Sequence, residues 1–327
     1  MSNSQLNLYL RSVAHYVPPK RLSNEDISKM VDTNDEWIVT RTGIKERAIA
    51  DKGTGASDLG AKASEQALKN AAMDASEIDA ILCATCTPDM TIPGASTFIQ
   101  RKLGIENVMS LDLNAACSGF VYGMDVAEGL LASGRYKNIL LACTEKFSSV
   151  VNYKDRSTCI LFGDGAGSVI LSSEPKGAHL KSIYTGANGN LSHLLHRPAG
   201  GSLSPMQEDP QAEDFFIKME GKEVFKHAVR SMGESVIKSI EAAGWKEGEV
   251  DWLIPHQANK RLIKAAADRI GLGEDKVLVN IEKYGNMSAA SIPVVMSEFQ
   301  DRFKKGDKIL CVAFGAGFTW GGLALEW

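Results

Sequence analysis

The segment Ser76-Glu77-Ile78-Asp79-Ala80-Ile81-Leu82 is matched, roughly 170 residues further along the chain, by Gly248-Glu249-Val250-Asp251-Trp252-Leu253-Ile254. A helical pattern precedes each copy, at residues 57–73 in the first half and 224–243 in the second. Each copy has the pattern of a short connection that enters a buried strand. This internal similarity predicts an α/β unit that is built twice.

Further matched segments extend the repeat. The strand-like pairs are residues 108–113 with 277–282, and 138–142 with 308–312. Glycine-rich segments, which we predict to form hairpins, follow the second pair at 162–168 and 314–321. We therefore divide the chain into an N-terminal half, residues 1–175, and a C-terminal half, residues 176–327. No low-complexity linker separates the halves, so we expect them to pack as one body, with 185–213 as a surface excursion.

The overall composition is that of an ordinary globular protein. The chain has 327 residues, is 44% hydrophobic and carries a formal net charge of −4, which gives no sign of nucleic-acid binding. No apolar run approaches the roughly 18 residues of a membrane helix, and the polar start is not a signal peptide. Six cysteines in so long a chain do not form a disulfide framework. These features predict a cytoplasmic protein without membrane partners.

Cys117 is the candidate nucleophile. It lies between the predicted buried strand 108–113 and a predicted helix over 120–132. A helix start presents free N–H groups and a positive dipole end, which favour the thiolate. The alternative is that Cys117 is a small buried hydrophobic residue.

The other cysteines are predicted to be structural. Cys83 and Cys86 have zinc-like spacing, but no second pair or nearby histidine accompanies them, so no metal site is expected. Cys143, Cys159 and Cys311 lie in apolar, strand-like runs and are predicted to be in the core.

Matching the two halves brings polar residues together. Cys117 falls opposite Asn286, and His256 ends the strand that the second copy forms. Strand ends on the same side of a duplicated sheet are expected to converge, so the three side chains are predicted to share one pocket. A Cys-His-Asn set is also found in papain-like proteases, where the histidine is the base toward the thiol. The flanking motifs here are not protease-like.

Five motifs carry a resemblance that covers almost the full chain. They are residues 37–44, 114–120, 255–259, 285–291 and 314–321. The chain resembles the β-ketoacyl-acyl carrier protein synthase III family of the thiolase superfamily. The resemblance implies an α/β, thiolase-like duplicated αβαβα five-layer fold. It also implies decarboxylative Claisen condensation of an acyl-CoA primer, acetyl-CoA by default, with malonyl-acyl carrier protein. The product is a 3-oxoacyl-acyl carrier protein that initiates fatty-acid synthesis.

The resemblance also implies roles for the pocket residues. Cys117 would carry the acyl group, and the backbone N–H groups of Cys117 and Ala316 would form the oxyanion hole. His256 and Asn286 would donate hydrogen bonds to the enolate left by decarboxylation. No cofactor or metal is expected. The expected partners are acyl-CoA, acyl carrier protein and a second copy that pairs through the sheet edge of the first half.

Coenzyme A contacts follow from the same resemblance. Trp37 and Arg156 would sandwich the adenine, although Trp37 is otherwise a candidate core residue and Arg156 a solvated charge. The remaining contacts, at the nucleotide end and along the pantetheine tunnel, are assigned to Thr33, Arg41, Gly221, Lys222, Phe225, Ala258 and Asn259. Lys222 and Met287 depart from the residues that many relatives carry. Ile92 would reach into the partner's acyl pocket without blocking it, which leaves branched or longer primers open.

A run of basic residues suggests a docking face. Lys226, Lys260, Arg261 and Lys264 would surround the pantetheine entrance and attract the acidic carrier protein, although such a run is often only a solvated helix face. Two alternative functions remain. One is a condensing enzyme of secondary metabolism, of quinolone or polyketide type, that uses longer acyl donors. The other is a carrier-binding relative without catalysis.

Overall fold

The protein is described here by a computed structural model that covers residues 6–205 and 212–327. Its strands are β1 (Tyr9–Tyr16), β2 (Arg21–Ser23), β3 (Glu46–Ala48), β4 (Ala80–Ala84), β5 (Met109–Leu113), β6 (Asn138–Lys146), β7 (Asp164–Ser172), β8 (Ala178–Ala187), β9 (Leu195–His196), β10 (Lys218–Met219), β11 (Trp252–Pro255), β12 (Lys308–Gly315) and β13 (Thr319–Glu326). Its α-helices are α1 (Asn24–Ser28), α2 (Asp35–Thr42), α3 (Ala56–Ala71), α4 (Ala95–Leu103), α5 (Gly119–Ala132), α6 (Arg156–Cys159), α7 (Gly221–Ala242), α8 (Lys260–Asp268), α9 (Ile281–Tyr284) and α10 (Ser291–Phe299).

One continuous sheet of nine strands runs through both halves, in the order β11-β12-β13-β8-β1-β7-β6-β4-β5. The halves join where β1 and β8 pair antiparallel through Tyr9 with His179 and Leu10 with Ala178. On one side of this junction the order is β1-β7-β6-β4-β5, and on the other it is β8-β13-β12-β11. Counted outward from the junction, the first four strands of each side appear in the same sequence order. The corresponding pairs are β1 with β8, β7 with β13, β6 with β12, and β4 with β11. This match supports the division at residue 175, which we keep as a proposal.

The helices form layers around and between the two parts of the sheet. On the first half, α3 packs against β1, β6 and β7, whereas α7 packs against β8, β12 and β13 of the second half. Helices α5 and α10 lie between the two parts of this sheet, where Phe120, Met124, Ile292 and Val295 are fully buried in one cluster that contains residues of both parts. These two helices bury apolar side chains against both parts of the sheet, and this burial fixes how the halves face each other.

Two strand predictions need correction. Residues 108–113 were predicted as a buried strand, but β5 is the edge of the sheet and Leu111 is 40% exposed. Residues 277–282 were predicted as a strand, but the segment makes only one bridge, from Val277 to Leu253, before α9 begins at Ile281. The side chain of Gln257 accepts the Asn280 N–H, which takes that group away from strand pairing.

The glycine-rich segments differ from each other. Residues 314–321 form the predicted hairpin between β12 and β13, but 162–168 enter β7 after a long connection from β6 and are not a hairpin. A Cβ atom at Gly167 would lie 2.8 Å from the side chain of Pro293 in α10, so the small residue permits close helix–sheet packing. The predicted excursion 185–213 lies partly outside the described residues. Within it, Leu194 and Leu195 are buried, so this part is not merely surface.

No helix among the described residues is long and apolar enough to span a membrane. All six cysteines are free thiols. Cys83, Cys143, Cys159 and Cys311 are buried, as expected for core residues.

Candidate active site

A cavity of about 810 Å³ lies between the two halves and contains the three candidate side chains. Cys117, His256 and Asn286 all line it, although they are far apart in the sequence. Their exposed fractions are 8%, 2% and 6%, so the three groups lie at the deep end of the cavity and not on the surface. The predicted convergence of thiol, imidazole and carboxamide is therefore present in the structure.

Cys117 lies on a short 3₁₀ turn, Ala116–Ser118, that connects β5 to α5. Ala116 has φ of +46°, which bends the chain sharply before the cysteine. The first residue of α5 is Gly119, where a Cβ atom would lie 2.9 Å from the Cβ of Ala289. The glycine thus allows the nucleophile turn to pack tightly against the C-terminal half.

The thiolate predicted for Cys117 is not the state that its surroundings favour. Burial raises the pKa of the thiol from 9.0 to about 12, while a hydrogen bond with Ser288 acts in the opposite direction. A rise of that size corresponds to about 4 kcal/mol, whereas a helix dipole typically contributes only about 0.3–1 kcal/mol. Cys117 is therefore a neutral thiol in this structure, and its proton must leave during any attack on a substrate.

His256 is a neutral imidazole. Burial lowers its pKa from 6.5 to about 3. Its backbone N–H donates to the Val312 carbonyl oxygen at 2.8 Å, which fixes the residue at the end of β11 beside β12. Neither ring nitrogen has a hydrogen-bond partner among the described residues. A buried polar group without a partner is unusual in a folded protein, and here the ring faces the cavity, where a substrate can satisfy it.

Asn286 presents its amide group to the cavity in a fixed orientation. Its Oδ1 accepts the Ser288 N–H at 2.8 Å, which leaves the amide NH₂ as the free end of the side chain. The backbone is held on both sides, because the Asn286 N–H donates to Leu161 and its carbonyl accepts from Gly163. The side chain is thus a hydrogen-bond donor toward the cavity that His256 also lines.

The structure corrects the pairing of Cys117 with Asn286 across the repeat. The counterpart of Asn286 is Asn114, whose Oδ1 likewise accepts the N–H of the residue two positions on. In each half that residue, Ala116 or Ser288, has a positive φ and begins a 3₁₀ turn that leads into a helix. The shared motif is therefore Asn-x-(Ala/Ser), and the cysteine lies one residue beyond it.

The hairpin between β12 and β13 approaches the Cys117 turn closely. A Cβ atom at Gly315 would lie 2.7 Å from the Cys117 nitrogen, so only glycine leaves room there. The Thr319 hydroxyl donates to the Ala115 carbonyl oxygen at 2.9 Å and holds the hairpin on the turn. Ala316 lies at the tip and lines the cavity. The backbone of the hairpin that contains Ala316 is thus fixed against the turn that contains Cys117.

The cavity mouth carries a cluster of cationic and aromatic groups. The guanidinium carbon of Arg41 lies 4.5 Å from the centroid of the Trp37 ring, and that of Arg156 lies 4.8 Å from it. Arg41 lines the cavity, whereas Trp37 and Arg156 lie beyond its lining. Arg156 also donates to the Asp32 carbonyl oxygen at 2.9 Å. The hydroxyl of Thr33, next in the chain, is buried without a partner among the described residues.

The predicted tunnel residues come together at the starts of two helices. Gly221 and Lys222 begin α7, and Phe225 lies one turn further on. Asn259 caps α8 by accepting the Arg261 N–H, and its amide group donates to the Arg41 carbonyl oxygen at 2.9 Å. All of the predicted tunnel residues line the cavity, namely Gly221, Lys222, Phe225, Ala258 and Asn259.

The predicted docking residues lie around this entrance but differ in their surroundings. The Arg261 guanidinium carbon lies 5.0 Å from the Phe225 ring centroid, and Arg261 lines the cavity. Lys226 pairs with Glu223 at 3.7 Å, and Lys264 pairs with Asp268 at 2.9 Å. Lys260 is exposed on the first turn of α8. Of the four predicted docking residues, Lys226 and Lys264 are therefore paired with carboxylates, whereas Lys260 and Arg261 form no ion pair with the described residues.

Ile92 lies away from the cavity of its own chain. It is 83% exposed, on the loop between β4 and α4, and it does not line the cavity.

Several cavity residues were missed by the sequence analysis. The stacked rings of Phe147 and Phe162, 4.6 Å apart, line the cavity together with Cys86 and Thr87. Below them lies Glu145, a carboxyl group with no exposed surface. A charged residue near the end of an otherwise apolar strand, as in Leu-Leu-Ala-Cys-Thr-Glu, was a sequence signal that could have found it.

Comparison with known proteins places these features in a family. Residues 111–189 match the family model described as 3-oxoacyl-[acyl-carrier-protein (ACP)] synthase III, and residues 240–327 match its C-terminal model. A beta-ketoacyl-[acyl-carrier-protein] synthase III of Caldanaerobacter subterraneus is 45% identical over 315 residues, which cover 95% of each chain.

Solved structures agree with the sequence relatives. The 3-oxoacyl-[acyl-carrier-protein] synthase III of Aquifex aeolicus has a TM-score of 0.91 and 41% identity, and the match covers 98% of this chain and 100% of that one. The priming beta-ketosynthase of the R1128 polyketide pathway also has a TM-score of 0.91, at 31% identity, with coverage of 100% and 98%. The predicted thiolase-like duplicated α/β fold is confirmed.

The neutral state of His256 gives a first testable prediction. Because its pKa is lowered to about 3, the ring stays uncharged in the folded protein between pH 8 and pH 5. Below pH 6.5 the unfolded chain binds a proton at this residue and the folded chain does not, so this group lowers folding stability on acidification. We expect the His256 ring resonance in an NMR titration to stay constant over this range, with His256→Ala identifying the signal. A titration midpoint near pH 6.5 would contradict the burial argument.

Proposed function

The chain belongs to the 3-oxoacyl-[acyl-carrier-protein] synthase III family, and we infer that it catalyses the condensation that initiates fatty-acid synthesis. An acyl-CoA primer acylates the enzyme, and malonyl-acyl carrier protein then supplies the two-carbon unit. The observation that carries this assignment is the convergence of Cys117, His256 and Asn286 at the deep end of one cavity.

Acylation takes place at Cys117. The sulfur attacks the thioester carbon of the primer, the carbonyl oxygen becomes an oxyanion, and coenzyme A leaves as the thiol. Backbone N–H groups of Cys117 and Ala316 receive the oxyanion. The contact of Thr319 with Ala115 supports this role, because it holds the two backbone segments before the substrate arrives.

Condensation uses two neutral donors. Loss of CO₂ from the malonyl thioester leaves an enolate, whose oxygen accepts hydrogen bonds from His256 and Asn286. The enolate carbon then attacks the acyl-Cys117 carbonyl and releases the 3-oxoacyl product. Loss of one such donor typically costs about 10²–10³ in rate. The lowered pKa of His256 supports its role as a neutral donor and not as a base toward the thiol. A papain-like pairing of cysteine and histidine is therefore disfavoured.

The primer enters along the tunnel and its acyl group lies beyond Cys117. The adenine binds at Trp37 and Arg156, whose present separation of 4.8 Å requires one of them to move when a ring enters between them. The stacked Phe147 and Phe162 add apolar rings to the cavity lining, and acetyl-CoA is the simplest primer.

Acyl transfer to Cys117 can be measured by intact mass after incubation with acetyl-, isobutyryl- and octanoyl-CoA. We expect adducts with the short primers that are absent in Cys117→Ser, because that variant lacks the thiol. Labelling by octanoyl-CoA alone would favour a role in secondary metabolism, for which the similarity to the polyketide priming synthase is the specific observation. No adduct with any donor would contradict the role of Cys117.

The carrier protein docks at the entrance formed by α7 and α8. Arg261 is at its centre, because it lines the cavity and has no ion pair with a described residue. Lys222, Lys226, Lys260 and Lys264 add positive charge around it, which attracts an acidic partner over short range.

Reversing the charge at the entrance tests the docking face. We expect Arg261→Glu to raise the KM for malonyl-acyl carrier protein about tenfold, which is about 1.4 kcal/mol, while acylation by acetyl-CoA is retained. Arg135→Glu is a matched control, since Arg135 also lies over an aromatic ring, that of Tyr136, at 5.4 Å. Equal loss of both half-reactions in Arg261→Glu would contradict a docking role.

The protein forms a homodimer through β5, and Ile92 reaches the partner's acyl pocket. The open edge of β5 with the exposed Leu111 and the 83% exposed Ile92 on the neighbouring loop support this arrangement. An open sheet edge presents unpaired backbone groups to which a strand of a second chain can pair. The free state of all six cysteines supports a reducing, cytoplasmic location.

A charge placed on the β5 edge tests the dimer. We expect Leu111→Lys to sediment as a monomer at micromolar concentration in analytical ultracentrifugation, because a buried lysine disfavours strand pairing between copies. Val229→Lys is the control, since Val229 is an exposed apolar residue on α7, with 37% exposure compared with 40% for Leu111. A Leu111→Lys protein that remains dimeric would exclude this edge as the interface.

A further inference from the structure

A fully buried arginine lies next to residues of the cavity wall. Arg47, on β3, has no exposed surface and does not itself line the cavity. Among the described residues, arginine ion pairs are formed by Arg11 and Arg21 and not by Arg47. Burial lowers the pKa of Arg47 to about 10, so its guanidinium is still protonated at neutral pH. A buried cation without a carboxylate partner is unfavourable, and its presence here needs an explanation.

The three nitrogens of this guanidinium donate hydrogen bonds to two uncharged oxygen atoms. Nε donates to the Ile160 carbonyl oxygen at 3.0 Å, and Nη2 donates to the same oxygen. Nη1 donates to Oδ1 of Asn24 at 2.5 Å. Ile160 is the first residue after α6, where carbonyl groups lack partners within the helix and basic side chains can bind them. Arg47 therefore fixes the chain at the point where it leaves α6.

The chain that leaves α6 holds the backbone of Asn286. We call residues 160–163 the support segment. Within it, the Leu161 carbonyl oxygen accepts the Asn286 N–H at 2.9 Å, and the Gly163 N–H donates to the Asn286 carbonyl oxygen at 3.0 Å. The support segment is therefore bound by Arg47 at its first residue and by Asn286 along the rest of its length.

The stem of Arg47 also packs beside the residue that precedes Asn286. That residue, Gly285, has φ of +73°, which favours glycine. A Cβ atom there would lie 3.0 Å from the Arg47 Cγ atom and 2.8 Å from the Leu161 carbonyl oxygen, so a side chain would not fit without displacing them. The backbone that carries the Asn286 amide is therefore packed against both Arg47 and the support segment.

We propose that Arg47 is a positioning residue that sets the direction of the Asn286 amide, an inference that rests on the proposed role of Asn286 as a donor to the enolate. The direction of this amide depends on the backbone at Asn286 and on the Ser288 N–H, which Oδ1 accepts. Arg47 fixes that backbone through the support segment and through Gly285. It does not line the cavity, so it acts through Asn286 and not on the substrate. A displacement of about 1 Å at a reacting group can cost about 10² in rate.

The coenzyme A site is expected to survive the loss of Arg47. Asn24, which accepts from Arg47, also donates through its amide nitrogen to Oδ1 of Asp35 at 2.7 Å and to the Ile44 carbonyl oxygen at 2.8 Å. These two bonds tie α1 to α2, the helix at the cavity mouth, and they do not involve the guanidinium. Acylation by acetyl-CoA is therefore expected to continue in variants of Arg47.

The experiment measures two half-reactions in Arg47→Met, which keeps an apolar stem but lacks the donors. The kcat for decarboxylation of malonyl-acyl carrier protein without primer is expected to fall about 10²-fold at unchanged KM, while single-turnover acetylation of Cys117 by acetyl-CoA is retained. Arg47→Lys keeps a cationic donor on the same stem and is expected to recover part of the decarboxylation rate. Ile27→Ala is the matched control for a loss of stability, since Ile27 is fully buried in the same apolar cluster as Ile160. We expect no selective loss of decarboxylation in this control.

A double-mutant cycle tests whether Arg47 acts through Asn286. We expect Arg47→Met to cause no further loss of decarboxylation when it is combined with Asn286→Ala, because the amide that it positions is already absent. Independent effects would instead multiply to a loss of about 10⁴-fold. The same cycle with Arg47→Lys replaces this one if Arg47→Met does not fold.

Several outcomes overturn the proposal. Equal loss of both half-reactions, a selective loss in Ile27→Ala as well, or failure of both Arg47 variants to fold assigns Arg47 a structural role only. Multiplying effects in the cycle exclude action through Asn286. Unchanged decarboxylation in Arg47→Met, with a loss in Asn286→Ala, refutes the positioning role and leaves the proposed function intact. Unchanged decarboxylation in Asn286→Ala refutes the proposed role of Asn286 and the inference together.

Discussion

The close approach of two short turns at the centre of the molecule is the constraint on which the site depends. The turns Ala116–Ser118 and Ser288–Ala290 each follow an asparagine, and each leads into a helix that is buried between the sheets. Because Gly119 has no side chain, the two helix starts can touch. If the halves were further apart, the amide of Asn286 would no longer share a cavity with the Cys117 thiol.

Burial away from water determines the charge states of the groups in this site. The same burial that makes Cys117 a neutral thiol also makes His256 a neutral imidazole. Interior hydrogen bonds are stronger than those in water, so neutral donors are sufficient to hold a developing negative charge. The effect of the α5 dipole on Cys117 is smaller than the effect of burial. Proton transfer must therefore be arranged by neighbouring groups.

The sequence was sufficient for the parts of the structure that rest on repetition and motifs. The strand and helix order, the duplicated fold and the meeting of Cys117, His256 and Asn286 follow from matched segments and strand ends. The exact register of the repeat did not follow. Asn114 is the counterpart of Asn286, because both asparagines accept the N–H of the residue two positions on. This shared feature is a backbone conformation, and aligning the halves by their strands placed Cys117, three positions later, opposite Asn286 instead.

Solvation was harder to predict than position. The pattern of β5 is that of a buried strand, but its burial depends on what covers the sheet edge, and this cannot be read from alternation within the strand. The state of Cys117 likewise depends on how far the turn is from water. Glu145 was overlooked for a related reason. Its place near the end of an apolar run is visible in the sequence, but its complete burial depends on residues of other elements.

The burial of the His256 ring has an evolutionary consequence. Removing a polar ring from water costs free energy of folding, and an apolar residue of similar size at this position would pack without that cost. Random drift in the absence of selection for catalysis therefore favours replacement of His256. Retention of the histidine in a lineage would record continued selection for activity, at the expense of a more stable fold.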